Sequence, residues 1–176
     1  TTNGAVAVYG EDADCINNSP DGDACDPSWS LNEYGRLYNW YAVDDARGLC
    51  PSGWHVPTDG EYMTLEMALG MSEAEANSTG WRGSLAAVGS QLKSSPSDDP
   101  SWNGTNTSGF SGLAGGTRFA NGFFSNQGDY GFFWSASAFG AGAWDRRLSG
   151  GGTGVSRENG NQRGGFSVRC LKDTTP

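Results

Sequence analysis

Hydrophobic and polar positions change their period about halfway along the chain. In the first half apolar residues recur at helical spacing. Leu37, Trp40 and Tyr41 share one face of a predicted helix over residues 35–47, with Asp44 continuing the spacing and Val43 beside it. The segment GLCPSGWHVP interrupts that pattern through Gly48, Pro51, Gly53 and Pro57. Thr58 then opens a second helix, because Glu61 stands at capping-box spacing. Tyr62, Leu65, Met67 or Ala68, and Leu69 form its apolar face, and Gly70 stops it. A short third helix is expected over residues 84–93, with Leu85, Val88 and Leu92 facing inward.

Residues 94–109 are Ser, Asp, Asn, Pro and Gly, the composition of an irregular loop. Beyond them aromatic segments alternate with glycine: GFSGLAGGTRF, GFFSNQGDY and GFFWSASAF, which read as short strands joined by tight turns. Phe166, Val168 and Cys170 alternate with Ser167 and Arg169, the period of a half-buried strand. A brief alternation in TTNGAVAVYG suggests an opening strand. Helices first and a strand-rich, Gly-rich second half place the chain in the α+β class. Its 176 residues fit one domain over residues 1–176, with a core at about residues 15–173.

Composition sharpens this picture. Lys and Arg number 11 against 20 Asp and Glu, a net charge of −9, so nothing here neutralises phosphates and nucleic acid is excluded as a partner. No apolar run approaches the roughly 20 residues of a membrane span. Glycine is abundant at 28 copies, and seven Trp, six Tyr and eight Phe supply the apolar area that such a chain otherwise lacks. Four cysteines, Cys15, Cys25, Cys50 and Cys170, include no CxxC pair, and His55 is the sole histidine, which argues against zinc. The even count reads as two disulfides in an oxidising compartment. Of the three connectivities we take Cys15–Cys25, closing a short loop, and Cys50–Cys170, tying the middle of the chain to its end. The first loop is acidic: Asp12, Asp14, Asp21, Asp23 and Asp26 crowd into it. A solvated turn is the preferred reading over a calcium site, because DxDxDG with a distal Glu is absent. No cofactor is expected, with calcium at those aspartates as the alternative.

The stretch from Gly131 to Asp173 holds the functional reading. Phe132, Phe133 and Trp134 at its front and Phe166, Val168 and Cys170 at its back are built to pack. Between them runs Gly, Ser, Ala and Arg, which contributes little to a core and so belongs on a surface. A polar surface held between two apolar strands is what a binding site on loops requires.

The landmarks YGRLYNWYAV, GLCPSGWHVPTDGEY, GFSGLAGG, GFFWSAS and GGFSVRC, in that order after a Cys-to-Cys loop, resemble the Fibrobacter succinogenes major paralogous domain family. That resemblance implies a C-type lectin-like fold and an extracellular or cell-surface module of a prokaryote or phage, used for binding rather than chemistry. It also implies a Cys50–Cys170 pair. A narrower resemblance is to variable proteins of diversity-generating retroelements, whose variation lies between a WS-containing strand and a closing GFSVRC-like strand. These match Trp134-Ser135 and Gly165 to Cys170. Adenine-randomised AAC or AAT template codons cannot yield Trp, Glu, Gln, Lys or Met, and residues 137–163 are dominated by the permitted set. Trp144, Glu158 and Gln162 are then scaffold. The implied contacts are Phe139, Gly140, Gly142, Asp145, Arg147, Ser149, Gly151, Thr153, Ser156, Arg157, Asn159 and Asn161.

The chemistry of those residues suits recognition. Arg147 and Arg157 carry forked donors, and aromatic and Arg anchors among small polar residues resemble antibody loops. Against this, Trp144 reads as core and Arg146–Arg147 as a solvated pair of charges. The expected partner is a protein on another cell or virus surface, as for an adhesin, with a glycan second. EPN, QPD and WND tripeptides are absent, which disfavours calcium-dependent sugar binding. A fixed carbohydrate-binding or structural surface module is the alternative. An enzyme of the formylglycine-generating type needs paired reactive cysteines, no GxSxG elbow occurs, and His55 reads as structural, so no catalytic residue is expected.

Overall fold

Local capping signals set where the helices of the first half begin. The computed structural model describes residues 3–11 and 25–174, and among these it contains five short helices and ten strands. Strand β1 (Val6–Ala7) is followed by α1 (Pro27–Tyr34), where the Asp26 carboxylate accepts from the Ser28 N–H and Pro27 occupies the first turn. After β2 (Leu37–Tyr38), the Asn39 side chain caps α2 (Trp40–Val43) by accepting from the Ala42 N–H. Strand β3 (Trp54–His55) precedes α3 (Asp59–Ala68), whose Thr58–Glu61 capping box is formed in both directions. Ser72 and Glu75 repeat the device at α4 (Glu73–Asn77). Strand β4 (Gly80–Arg82) and α5 (Val88–Leu92) complete this half.

The second half supplies β5 (Gly115–Arg118), β6 (Phe124–Gln127), β7 (Tyr130–Phe139), β8 (Gly142–Ser149), β9 (Val155–Asn161) and β10 (Leu171–Lys172). Six strands form one sheet in the order β4-β9-β8-β7-β5-β6. All its neighbours are antiparallel except β5 and β7, which run parallel at Gly116 and Gly131. Two ribbons, β1–β2 and β3–β10, stand beside it.

Side chains alternate across β7 and β8, so each of these strands feeds two cores, while β9 adds Val155 to one of them. Phe133, Leu148 and Val155 meet Tyr62, Met71, Val88 and Leu92 from the helical half. Phe132, Trp134 and Ala143 meet Trp40 and Phe166 on the other side. Trp134 is fully buried, stacks on Phe166 at 4.2 Å, and donates its indole N–H to the Tyr38 carbonyl at 2.8 Å. The Trp40 indole donates likewise to Ser135. Burying one Phe-sized side chain stabilises by roughly 1.5–3 kcal/mol, so these few rings hold a glycine-rich chain together.

Cys50 and Cys170 are bonded, with Cα atoms 5.8 Å apart, next to the β3–β10 ribbon. Cys15, and with it the Cys15–Cys25 pairing, lies outside the described residues, as do Asp12, Asp14, Asp21 and Asp23.

Several sequence expectations are corrected. The helix over residues 35–47 shrinks to α2, because Leu37 and Tyr38 pair with β1 and Asn39 caps the single turn beyond them. Leu85 is 101% exposed rather than inward, since α5 begins only at Val88 after Ala87 takes a left-handed backbone. On α3, Met67 and Ala68 face solvent while Glu66 is buried. The expected strand at 166–170 makes only single bridges, Phe166 to Tyr38 and Ser167 to Phe133, before β10. Helices α1 and α4 and strand β4 were not expected.

Candidate functional site

The β8–β9 hairpin rests on a buried network of charges. Its register pairs Trp144 with Asn159 and Arg146 with Arg157, on the side that α3 covers. Asp59 and Glu66 lie about two helical turns apart, and so on one face of α3. Arg146 bridges them, donating to Asp59 at 2.8 Å and to Glu66 at 2.6 Å. Arg157 grips Asp59 with two bonds of 2.9 and 2.6 Å. Arg82 reaches Glu66 at 2.5 Å and the Val155 carbonyl at 3.0 Å. All five side chains are buried. Burial alone would raise the Asp59 carboxyl, but Arg157 and Arg146 outweigh it and hold the group below its ordinary range. Asp59 in turn raises Arg157, while burial pulls Arg82 down. Charges taken from water persist only when paired, as each is here, although the buried Arg82 Nε is left without a hydrogen-bond partner.

An aromatic stack stands on this base and reaches the surface. The Arg157 guanidinium lies 3.8 Å from the Trp144 ring centroid, and Trp144 stacks on Phe139 at 4.3 Å. Phe139 is 50% exposed. Gly140, with φ at 60°, makes the turn that folds β7 onto β8 and leaves the Phe139 ring uncovered. Asn159 and Asn161 are exposed beside it. From inside to outside the order is carboxylate, guanidinium, indole, phenyl. Such a stack holds a flat apolar contact rigidly among short polar side chains.

The sequence-predicted contacts therefore divide. Phe139, Gly140, Asn159 and Asn161 gather at this end of the hairpin, together with Trp144, which is neither wholly core nor wholly surface. Ser149, Gly151 and Thr153 lie at the other end, about 23 Å away at the usual rise of a strand. There the buried Lys93 ammonium donates to the carbonyls of Ser149 and Gly152, both at 2.9 Å. Gly142, Asp145, Ser156 and Arg157 are buried, which removes them from the contact surface. A Cβ on Gly142 would collide with the Asn159 side chain and sit 2.5 Å from the Gly160 carbonyl. Asp145 is fully enclosed and accepts from Arg147 at 2.9 Å, yet burial still pushes its carboxyl upward. Ser156 donates to Glu158 at 2.6 Å. Arg147 is half-buried over Phe132, and Arg146 is buried rather than a solvated charge.

Sequence reasoning missed Asp59, Glu66 and Arg82 as the supports of this face. One signal was available: Glu66 comes one turn after Tyr62 and so shares the buried face of α3. His55 sits elsewhere, between Asp173 on Nδ1 at 2.5 Å and Glu61 on Nε2 at 2.9 Å. Both carboxylates favour its protonated form and raise it, Asp173 most. With both ring nitrogens engaged, it acts as a clip between β3, α3 and the segment after β10.

A family model, the Fibrobacter succinogenes major domain, matches residues 8–172. The chain belongs to that family. The Fibrobacter succinogenes major domain here thus takes in every helix and the whole six-stranded sheet. No curated protein and no solved structure matches the chain. Among the described residues no group of three or more His, Cys, Asp or Glu side chains could hold a metal ion, and no helix is long and apolar enough to cross a membrane.

Proposed function

We propose that this Fibrobacter succinogenes major domain is an extracellular, adhesin-type binding module on a C-type lectin-like scaffold, with no catalytic role. Its ligand is a protein on another cell or virus surface, and its contacts centre on Phe139, Gly140, Asn159 and Asn161. The supporting observation is the Asp59–Arg157–Trp144–Phe139 stack, which fixes an exposed aromatic ring on a buried ionic base. A rigid base loses little entropy on binding, and the exposed side chains above it, Phe139 included, can change without disturbing the sheet. The Cys50–Cys170 bond suits an oxidising compartment.

Diversification by a retroelement is part of this reading, and burial sharpens what it predicts. Sequencing the gene and its flanking DNA across a natural population tests it. Variation should fall at Phe139, Gly151, Thr153, Asn159 and Asn161, in adenine-templated codons beside a near-copy of the stretch, while the left-handed turn restricts Gly140. Gly142, Asp145, Ser156 and Arg157 should stay fixed. Low, uniform variation with no template copy would leave a fixed carbohydrate-binding or structural surface module, for which the half-exposed Phe139 ring would serve a sugar face.

A further inference from the structure

The turn after β9 joins the aromatic face to a second opening, since the Asn161 side chain accepts from the Arg163 N–H. A cleft of about 770 Å³ opens between β1, the β5–β6 turn and the turn just after β9. Arg118 and Arg163 both line it. Neither is ion-paired among the described residues, whereas five other arginines are bound to carboxylates. In a chain with 20 acidic residues against 11 basic ones, two guanidiniums at one opening, unpaired among the described residues, make a local positive site that suits an anion. Glu11 lines the same cleft without coming within ion-pair distance of either arginine.

The backbone holds both arginines in place. Arg118 exchanges two main-chain hydrogen bonds with Gly165, at 2.9 and 2.7 Å. Arg163 sits in a tight turn, its N–H donating to the Asn161 side chain at 3.0 Å. Gly122, with φ at 104°, passes close to Arg118, and a Cβ there would lie 3.3 Å from Nη2. The positive φ favours glycine at this turn, and a side chain there would press on the guanidinium. The Phe123 ring beside it is 54% exposed, and the Phe124 ring lies 5.7 Å below the Arg118 guanidinium.

We infer that this cleft binds an oligosaccharide carrying carboxylates, a uronate-type glycan, with Arg118 and Arg163 as the carboxylate receptors and Phe123 as the platform for a sugar face. Guanidinium forks match planar carboxylates with two parallel bonds. An open cleft with a flat ring at its edge suits an extended sugar chain. Strand addition, one route by which a peptide could enter, has little edge to use because β1 is only two residues long.

The test is calorimetric titration of the purified domain with oligogalacturonate, a neutral galacto-oligosaccharide of equal length, and an oligoglutamate peptide. The uronate should bind, and the neutral sugar and the peptide should not. R163Q and R118Q should each weaken binding roughly 10- to 100-fold, the usual range for a lost charge-assisted bond. R163K should fall between wild type and R163Q, because it keeps charge and loses the fork. If R118Q fails to fold, R163Q on its exposed turn decides alone. F139A should leave uronate affinity unchanged, so this site and the aromatic face stand or fall separately. Absence of uronate binding, equal affinity for the neutral sugar, tighter binding of the peptide, or indifference to R163Q overturns the proposal.

Discussion

Glu66 accepts from two guanidinium groups, Arg82 and Arg146, and all three side chains are buried. Removing one partner from such a set leaves charge buried without compensation, which costs about 3–5 kcal/mol. Glu66→Gln keeps the shape and removes the charge, so a denaturant titration should show a loss of that size with an unchanged slope. A loss under about 1 kcal/mol would mean that water reaches the network. His55 offers the opposite case, an exposed pair. Its pKa is raised by Asp173 and Glu61, so its contribution to stability is full below the unfolded value of about 6.5 and fades as pH rises through the folded value. Glu61 is lowered despite the opposing effect of burial, through its bonds to Thr58 and His55. Its contribution is present above an unfolded value of about 4.3 and lost as pH falls through the folded value. The clip is therefore strongest between those limits, and both partners' exposure caps it at about 1 kcal/mol. Thermal melts should show wild type losing a few degrees relative to His55→Gln as pH rises from about 6 to 8. Parallel melting curves for the two proteins would remove the clip from the account.

Strand β9 alternates between positions that tolerate change and positions that do not. Asn159 and Asn161 are exposed, while Gly160 between them faces the fully buried Trp134. A Cβ on Gly160 would lie 2.6 Å from Asp145 Oδ2 and 2.7 Å from the Trp134 ring. Gly160→Ala should therefore destabilise by about 1–3 kcal/mol, as overpacking does, while substitutions at Asn159 or Asn161 should stay within about 0.5 kcal/mol. Equal tolerance at all three would contradict the packing described. The same strand shows what sequence can convey. The capping box of α3 was legible because its signal is local, Thr58 to Glu61. Asp26 and Pro27 gave an equally local signal for α1, hidden by the acidic run before it. By contrast, Leu37 and Tyr38 carry helical spacing, yet pairing with distant β1 decides their state. Gly, Ser and Arg in residues 142–161 look like loop, because small side chains conceal strands held by backbone pairing. Arg146 and Arg157 read as surface charges because their carboxylates come from α3, far earlier in the chain.

The largest loop in the molecule is closed by Cys50 and Cys170, separated by 120 residues. Their pairing was legible because the landmark residues around both cysteines resemble the family pattern. What it fastens was not, because the neighbouring contacts span the whole chain. The β3–β10 ribbon pairs His55 with Leu171 and Trp54 with Lys172, and the Asp173 N–H donates to the Gly53 carbonyl at 2.9 Å. The His55–Asp173 contact lies at the same point. Beyond the bond itself, then, the chain end is held mainly by exposed polar contacts and a two-stranded ribbon, which is marginal on its own. In the chain-entropy account, closing a loop of this length stabilises by about 4–5 kcal/mol, by restricting the unfolded chain. A Cys50→Ala, Cys170→Ala double variant should lose about that much in a denaturant titration. Hydrogen exchange at Leu171–Asp173 should accelerate well before that of the six-stranded sheet, whose contacts do not pass through the ribbon. The pH dependence assigned to His55 should shrink in the same variant, because its strongest partner is on the released end. Unchanged exchange at Asp173, with stability lost uniformly, would place the effect of the bond wholly in the unfolded state. An unchanged midpoint would show instead that the sheet and its two cores fix the chain end without the bond.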